Sequence, residues 1–244
     1  MIVIADVLAT DTVQTLQAGL KDVPFVDGRT TAGEDAGRVK SNQQAKADDP
    51  KVRELSMVVR QALDRSVLFQ LYCRPAKLSG VMFNRYGVGD TYGMHVDEPV
   101  MGKDARMRTD FSYTLFLADP TTYEGGELTV AGHDGERTVK PRAGSLVVYS
   151  TGDLHRVQPV RSGERLAAVG WVQSLIRGSD ERGILFDLGR VRSGLAAGDN
   201  RLILDKALGN LVRLWGELSA AEDFRTTDRG QARSMPVTSS AAPA

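Results

Sequence analysis

The chain has 244 residues, of which 41% are hydrophobic and 25% charged, the usual balance of a soluble globular protein. Its 31 basic and 31 acidic residues give a formal net charge of zero, which argues against a dedicated nucleic-acid binder or a polybasic membrane-surface protein. We therefore expect neither nucleic acid nor a membrane as a partner. The single cysteine, Cys73, excludes an intramolecular disulfide. Together with an N-terminal stretch that has no basic region before Asp6, it predicts a cytoplasmic protein.

Two amphipathic helices are predicted in the first part of the chain. Apolar residues at helical spacing between Val13 and Leu20 predict the first. Asp49 followed by Pro50 indicates an N-cap and the first helical position of the second, whose apolar stripe keeps the same period. Between them, residues 27–50 are polar and rich in Gly and Asp, which predicts a long loop.

The middle of the chain has short β-type runs separated by Gly, Asp and Pro. The runs are Val81–Tyr86, Tyr92–Val96, Phe111–Leu117, Glu127–Val130, Arg137–Lys140, Ser145–Tyr149, Arg156–Val160 and Leu166–Leu175. Short strands at this spacing are typical of a sandwich or jelly roll, and the scarcity of helical stretches among them weighs against a parallel α/β fold.

The last part of the chain begins with a helical pattern of apolar residues and ends without any periodic pattern. Apolar residues from Leu204 to Leu218 step by three and four, which predicts a helix that covers one face of the sheet. The end is rich in Ser, Pro and Ala and is expected to be disordered. The predicted organisation is a helical and loop support in 1–78, a jelly-roll core in 79–177, C-terminal helices in 178–225 and a disordered tail in 226–244.

The chain has three histidines, so few combinations of histidine ligands for a metal are possible. His95 and Asp97 are two residues apart, so in a strand they point to the same face. With His155 they offer two imidazoles and one carboxylate, a set that leaves metal positions open, as Fe(II) oxygenases require, whereas structural zinc sites use four protein ligands. The alternative is that His95 and Asp97 form a surface ion pair and that His155 lies in a loop.

Arg165 follows His155 along the chain, at the start of the last predicted strand. A turn at residues 161–164 between the two strands would bring its guanidinium to the same pocket. There it could hold a carboxylate in a bidentate fork, as a dicarboxylic cosubstrate would need. The alternative is a surface arginine at a strand end, paired with Glu164.

Several short motifs follow one another along the chain. They are Val26–Gly33, Phe83-Asn84-Arg85-Tyr86, His95-Val96-Asp97, Ser112–Pro120, Tyr123–Leu128, Ala143–Tyr149, Leu154-His155-Arg156-Val157, Trp171–Ser174 and Leu185–Leu188. In this order they resemble the prolyl-4-hydroxylase-like Fe(II)/2-oxoglutarate dioxygenases, and more narrowly the bacterial PKHD-type hydroxylases, which are associated with iron uptake. The resemblance covers about residues 1–220.

This resemblance implies a mainly β, α+β fold: a double-stranded β-helix of the jelly-roll, cupin-like kind, with N-terminal and C-terminal helices packed on it. It also implies roles for individual residues. They are iron ligation by His95, Asp97 and His155, binding of 2-oxoglutarate by Arg165 and Tyr86, and further polar candidates at Ser112 and Thr114.

The resemblance further implies an Fe(II)/2-oxoglutarate-dependent hydroxylase that uses O₂ and releases succinate and CO₂, with ascorbate as an additional reductant. Because Asp97 is present, a halogenase is disfavoured. The substrate is expected to be a peptidyl proline or a small molecule linked to iron uptake, and the protein a monomer or homodimer. Two alternatives stay open: a cupin-like metal enzyme without 2-oxoglutarate, and a catalytically silent iron-sensing or binding module on the same fold.

Other polar and aromatic residues have simpler interpretations. His133 lies in a turn composition and is expected to be exposed. Gly125 and Gly126 lie between Glu124 and Glu127 and are expected to form a turn with positive φ. The two glutamates are not expected to form a catalytic carboxylate site. Tyr92 and Trp171 could line the pocket, but aromatic residues in strands usually pack, and packing is the expected role. Residues 98–110 follow Asp97, so they form either the pocket rim and a substrate-contact loop or a merely solvated loop.

Overall fold

The computed structural model of the protein describes residues 1–31, 33–102 and 106–217. The helices are α1 (Thr10–Lys21), α2 (Glu34–Arg38), α3 (Pro50–Arg65), α4 (Val67–Cys73), α5 (Ser179–Gly194) and α6 (Asp199–Trp215), with a 3₁₀ turn at Gly28–Thr31. The strands are β1 (Ile2–Ile4), β2 (Phe25–Asp27), β3 (Lys40–Ser41), β4 (Gln43–Ala45), β5 (Pro75–Leu78), β6 (Met82–Tyr86), β7 (Thr91–His95), β8 (Val100–Met101), β9 (Met107–Arg108), β10 (Phe111–Phe116), β11 (Tyr123–Gly125), β12 (Leu128–Gly132), β13 (Gly135–Val139), β14 (Leu146–Ser150), β15 (Leu154–Val157), β16 (Val160–Gly163) and β17 (Arg165–Ser174).

Two antiparallel sheets form the core. The larger sheet has the order β1-β14-β10-β17-β6-β4-β2, with β5 also paired to β17, and the smaller sheet has the order β13-β12-β15-β7-β3. Two short pairs, β11-β16 and β8-β9, complete the strands. Neighbours in each sheet are mostly distant in sequence, as in a double-stranded β-helix, so the predicted fold class is confirmed.

The central strand β10 has different chemistry on its two faces. Phe111, Tyr113 and Leu115 belong to the same apolar cluster as residues of α1 and α3, so this face of the larger sheet carries the helices. Ser112 and Thr114 alternate with them and line a cavity between the two sheets. The strand is buried on both faces, and its period of two separates the packing residues from the polar ones.

The two predicted N-terminal helices are confirmed. In α1, Leu16 and Leu20 are buried, as their spacing predicts. At the start of α3, the Asp49 side chain accepts hydrogen bonds from the backbone N–H groups of Lys51 and Val52. The cap satisfies two of the helix's free N–H groups and fixes where the chain turns into α3.

The prediction of a long loop at residues 27–50 was wrong. This segment begins with the last residue of β2 and contains the 3₁₀ turn, α2 and the short strands β3 and β4. β3 pairs with β7 at the edge of the smaller sheet, and β4 pairs with β6 in the larger sheet. Strands of two or three residues are too short to show a hydrophobic period, so their pairing partners alone define them. The segment from Lys40 to Ala45 therefore crosses from one sheet to the other.

The predicted turn at residues 161–164 was also wrong. Residues 160–163 form β16, which pairs with β11, and β15 and β17 belong to different sheets. The predicted strand from Arg156 to Val160 is interrupted after Val157, where Pro159 has no N–H to donate to a ladder. The other predicted strands are confirmed to within about two residues.

The C-terminal helices form a layered pair. α5 packs against α4, and α6 packs against α5. The predicted helix over 204–218 is confirmed as far as Trp215, but it covers α5 rather than a face of the sheet, and no residue of this fully described helix is buried. Leu218 and the predicted tail lie outside the described residues. None of the helices described is both long and apolar enough to span a membrane.

Candidate metal and cosubstrate site

A cavity lies between the inner faces of the two sheets. It has about 810 Å³ of empty space, part of it open to solvent. Every site residue predicted from the sequence lines it. They are His95, Asp97, His155, Arg165, Tyr86, Ser112 and Thr114. Both sheets contribute to the lining, so the site depends on how the sheets face each other.

Strand pairing brings the two histidines together. β7 and β15 are neighbours in the smaller sheet, and His95 lies opposite His155 in register, with 4.2 Å between ring centroids. Asp97 follows directly after β7. One potential ligand atom from each of the three side chains lies within 4.8 Å of the others. The predicted convergence is therefore present in the fold. The alternative of a surface ion pair with His155 in a loop was wrong, because His155 is buried in β15.

Backbone carbonyls set the tautomer of both imidazoles. His95 Nδ1 lies 2.8 Å from the backbone oxygen of Gly93, and His155 Nδ1 lies 3.0 Å from that of Asp153. A carbonyl oxygen only accepts, so Nδ1 carries a proton in each ring, and Nε2 is the nitrogen left to coordinate a metal. The two Nε2 atoms face the Asp97 carboxylate at 3.7 and 3.6 Å. Both rings thus direct Nε2 to the same point.

The Asp97 carboxylate is held from the larger sheet. Its Oδ2 accepts hydrogen bonds from Ser112 Oγ at 2.7 Å and from Trp171 Nε1 at 2.8 Å. Ser112 and Trp171 are paired neighbours on β10 and β17. The expectation that Trp171 simply packs was wrong, because its half-buried indole N–H binds the Asp97 carboxylate. An indole N–H in a folded protein needs an acceptor, but the sequence does not show which acceptor it meets.

Burial sets the protonation state of His95. Loss of hydration lowers the pKa of its imidazole, and the neighbouring His155 lowers it further, although Gly93 and Asp97 oppose the shift. The Tyr92 ring stacks on His95 with 3.6 Å between centroids and an angle of 15° between the planes. Tyr92, predicted as a core residue, therefore forms part of the cavity wall and fixes the imidazole plane.

The donor set fits a ferrous ion. Two imidazole nitrogens and one carboxylate oxygen form the group, and such a mixed set on one side of a metal suits non-haem Fe(II) with open positions for further ligands. A closed structural zinc site would need a fourth ligand, and within the described residues the cluster has three members. His95, Asp97 and His155 are the residues that could hold the metal.

Arg165 brings a buried positive charge to the same cavity. Its side chain is 1% exposed, and its Nε has no hydrogen-bond partner among the described residues. The guanidinium carbon lies 5.1 Å from the Tyr86 ring centre and 5.0 Å from that of Phe116. Glu164, the alternative partner, lies 3.9 Å from Arg85 instead. A buried cation facing aromatic rings has the character of an anion-binding group.

Tyr86 lies opposite Arg165 in the pairing of β6 with β17. Burial raises the pKa of its phenol, while Arg165 and the amide of Asn42 act in the opposite direction. The phenol therefore stays protonated near neutral pH and can donate its O–H. A guanidinium and a phenol side by side can together bind one carboxylate.

Comparison with known proteins places this geometry in a family. The sequence profile of the 2OG-Fe(II) oxygenase superfamily matches residues 81–173. A PKHD-type hydroxylase of Hyphomonas neptunium is 43% identical over 89% of this chain and 100% of its own length. The chain belongs to the PKHD-type hydroxylases. A second relative, from Maricaulis maris, is 46% identical over 79% of this chain and 88% of its own.

A solved structure supports the fold of this PKHD-type hydroxylase. A prolyl hydroxylase from Trichoplax adhaerens superposes with a TM-score of 0.52 and 17% identity, covering 75% of this chain and 86% of its own. The resemblance predicted from the sequence is thus confirmed. As a member of the superfamily, the protein is an Fe(II)- and 2-oxoglutarate-dependent dioxygenase, with O₂ as its second cosubstrate.

The segment after Asp97 contributes to the cavity rim of this PKHD-type hydroxylase. Glu98 and Met101 line the cavity, as one of the two interpretations of 98–110 expected. Arg108 turns away, because it binds Asp110 and Glu217 at 2.8 and 3.0 Å. Residues 103–105 lie outside the described part of the chain.

The interpretations of His133 and of the Gly125-Gly126 turn are confirmed. His133 is exposed in the turn between β12 and β13. Gly125 and Gly126 have φ values of 73° and 65°, so the Gly-Gly phrase is a turn that favours glycine. No carboxylate of this phrase belongs to the three-residue cluster found among the described residues.

The cavity also has polar residues that sequence reasoning missed. Thr31, Lys40 and Gln44 line it from the segment that was interpreted as a loop. No local signal distinguishes them from solvated loop residues, since their burial depends on the pairing of β3 and β4 with distant strands.

Proposed function

We propose that this chain hydroxylates a C–H bond of a substrate bound in the cavity, with His95, Asp97 and His155 holding Fe(II). Arg165 and Tyr86 would bind the distal carboxylate of 2-oxoglutarate. The observation that carries the proposal is Arg165: a guanidinium that is 1% exposed, with no carboxylate partner among the described residues, in the same cavity as the metal-type cluster.

The protein's own residues have separate tasks in this reaction. Bound Fe(II) with 2-oxoglutarate and O₂ supplies the oxidising chemistry, releasing succinate and CO₂. The imidazoles give neutral nitrogen donors, and Ser112 with Trp171 fixes the orientation of the Asp97 carboxylate. The aromatic rings of Tyr92 and Tyr149 beside the histidines exclude water from the reaction.

Two alternatives explain fewer of the observations. A cupin-like enzyme without 2-oxoglutarate leaves the buried charge of Arg165 without a purpose. A silent iron-binding module would need no second anion-binding group beside the metal. Both alternatives predict that 2-oxoglutarate is not consumed, so one assay separates them from the proposal.

The test is succinate formation from 2-oxoglutarate in air with added Fe(II). We expect uncoupled turnover by the wild type without any substrate, and none above background for His155→Ala or Asp97→Ala. His133→Ala is the matched control, because it removes the exposed histidine and should keep full turnover. Turnover in either of the first two variants would contradict the assignment of metal ligands.

The substrate has two candidate classes. The Trichoplax adhaerens prolyl hydroxylase is described in complex with a peptide fragment of hypoxia inducible factor, which supports a peptidyl proline. A small molecule linked to iron uptake is the second. Comparison of hydroxylated peptides and metabolites from cells with and without the protein separates them.

Location, cofactor supply and assembly complete the proposal. Burial raises the pKa of the Cys73 thiol, so this cysteine suits a structural role in a reducing cytoplasm.

Ascorbate would restore Fe(II) after uncoupled cycles, and succinate yield with and without ascorbate tests this. A monomer or homodimer is expected, and sedimentation measures it.

A further inference from the structure

The segment from Lys40 to Ala45 places two polar residues at the junction of the sheets. Lys40 on β3 lies opposite Tyr92 on β7, at the edge of the sheet that holds the histidines. Gln44 on β4 lies opposite Asn84 on β6, in the sheet that holds Arg165. Both side chains line the cavity.

Lys40 is a second buried cation in this cavity. It is 6% exposed, its Nζ donates to Thr31 Oγ1 at 3.3 Å, and its ammonium lies 5.0 Å from the centre of the Tyr92 ring. Among the described residues, no carboxylate forms an ion pair with it. An ammonium has three N–H donors, and the Thr31 hydroxyl accounts for one of them. Holding such a group away from water is costly unless a partner arrives.

Gln44 is an unpartnered donor beside it. The side chain is 3% exposed, and its Oε1 accepts a hydrogen bond from Thr31 Oγ1 at 2.6 Å. Its Nε2 is buried, and no residue in the described part of the chain accepts from it. The Thr31 hydroxyl accepts from Lys40, and its single proton has two acceptors in reach, Gln44 Oε1 at 2.6 Å and the Gly28 carbonyl oxygen at 3.0 Å, of which Gln44 is the closer. This relay fixes the amide so that its NH₂ group, like the ammonium, is left for a ligand.

We propose that Lys40 and Gln44 form a carboxylate-binding subsite for the substrate, which makes the substrate a carboxylate-bearing molecule. The subsite offers one positive charge and several N–H donors, which match a monoanionic carboxylate with four lone-pair positions. A phosphate dianion would leave one negative charge unbalanced near Asp97. The stacking of Tyr92 on His95 places the subsite beside the metal-type cluster, where a bound substrate must lie.

This inference rests on the proposed function, and it assigns Lys40 to the substrate, whereas Arg165 is assigned to 2-oxoglutarate. The two cations come from different sheets, β3 in the smaller and β17 in the larger. Gln44 and Thr31 support Lys40, while Tyr86 faces Arg165. Each cation therefore has its own set of neighbours, and variants can separate them.

The test uses protein loaded with Mn(II) and saturating 2-oxoglutarate, with propionate and the uncharged propionamide as probes. Mn(II) accelerates the nuclear relaxation of probe protons bound near it. At neutral pH we expect the wild type to enhance propionate relaxation at least about fivefold more than propionamide. Lys40→Met and Gln44→Glu, which places a carboxylate beside the ammonium, should remove most of this preference. Lys46→Met, on the exposed lysine that directly follows this segment, is the control and should keep it.

Several results would overturn the proposal. They are equal relaxation by both probes in the wild type, an unchanged preference in Lys40→Met, and a larger effect with ethylphosphonate than with propionate. A loss of 2-oxoglutarate affinity of about tenfold or more in Lys40→Met would assign Lys40 to the cosubstrate instead. Titrations of Mn(II) and 2-oxoglutarate into the wild type come first, and failure of either would contradict the proposed function rather than this subsite.

Discussion

Trp171 donates its indole N–H to Asp97 Oδ2 across 2.8 Å, which ties the last strand of the larger sheet to the carboxylate that follows β7. Ser112 donates to the same oxygen from the neighbouring strand. Both donors bind Oδ2, so the other carboxylate oxygen, Oδ1, is directed toward His95. Asp97 Oδ1 lies 3.7 Å from His95 Nε2. The larger sheet thus orients a ligand for the histidines of the smaller one.

Loss of this hydrogen bond should weaken metal binding. We predict that Trp171→Phe lowers Mn(II) affinity by about tenfold, because groups that orient a metal ligand typically contribute 10- to 100-fold. Ser112→Ala should act in the same direction. Trp215→Phe makes the same chemical change in α6, away from the cavity, and should leave the affinity unchanged. Equal Mn(II) affinity in all three variants and the wild type would show that Asp97 needs no such support.

Arg165 should determine cosubstrate affinity without affecting the metal. We predict that Arg165→Met weakens 2-oxoglutarate binding by at least about tenfold, since loss of one partner of a buried ion pair typically costs ~3–5 kcal/mol. Mn(II) affinity should stay as in the wild type. Arg161→Met removes an exposed arginine of β16 and serves as the control. Calorimetric titration of 2-oxoglutarate measures the effect, and an unchanged dissociation constant would remove Arg165 from the site.

Gly126 should be needed to seat the Arg165 side chain. Its φ is +65°, and a Cβ atom there would lie 3.0 Å from Arg165 Cδ and 3.1 Å from Tyr123. Gly126→Ala should lower the free energy of unfolding by about 1–2 kcal/mol and also weaken 2-oxoglutarate binding. Gly135→Ala, at φ +103° with no atom within 4 Å, introduces backbone strain alone. If both variants lose stability but neither loses cosubstrate affinity, Gly126 has no role in placing Arg165.

Propionate binding at the Lys40 subsite should depend on pH. Burial lowers the pKa of Lys40 to about 8, although the charges of Asp97 and Asp27 oppose the shift. The charged ammonium predominates below that value, so propionate affinity should be full near pH 7 and fall as the pH rises through about 8. Lys40→Arg should bind propionate with little change across this range, because a guanidinium stays protonated. A wild-type profile that is flat up to pH 9.5 or so would contradict a titrating ammonium in the subsite.

Local patterns in the sequence predicted the parts of the fold that local physics determines. Runs of alternating residues between Gly and Pro predicted the long strands, and Asp49 predicted the start of α3. The two-residue period predicted that His95 and Asp97 face the same site, and both do, although β7 ends at His95 and Asp97 lies two residues beyond it. The family motifs then linked Arg165 to the same pocket.

Features that depend on distant pairing could not be predicted. β3 and β4 are too short to show a period, so the burial of Lys40 follows only from its pairing with β7. The position of β16 beside β11 likewise depends on a partner far along the chain. Trp171 fits a packed strand equally well whether or not its N–H finds a carboxylate. The sequence alone could not predict these features, because contacts between residues far apart along the chain determine them.

The most direct test of the proposed metal centre is anomalous diffraction at the iron edge, from crystals grown without oxygen in the presence of Fe(II) and 2-oxoglutarate. We predict one iron peak within about 2.0–2.3 Å of His95 Nε2, an Asp97 carboxylate oxygen and His155 Nε2. The far carboxylate of 2-oxoglutarate should lie on the Arg165 guanidinium. An iron peak bound by other residues, or 2-oxoglutarate bound away from Arg165, would contradict the assignment.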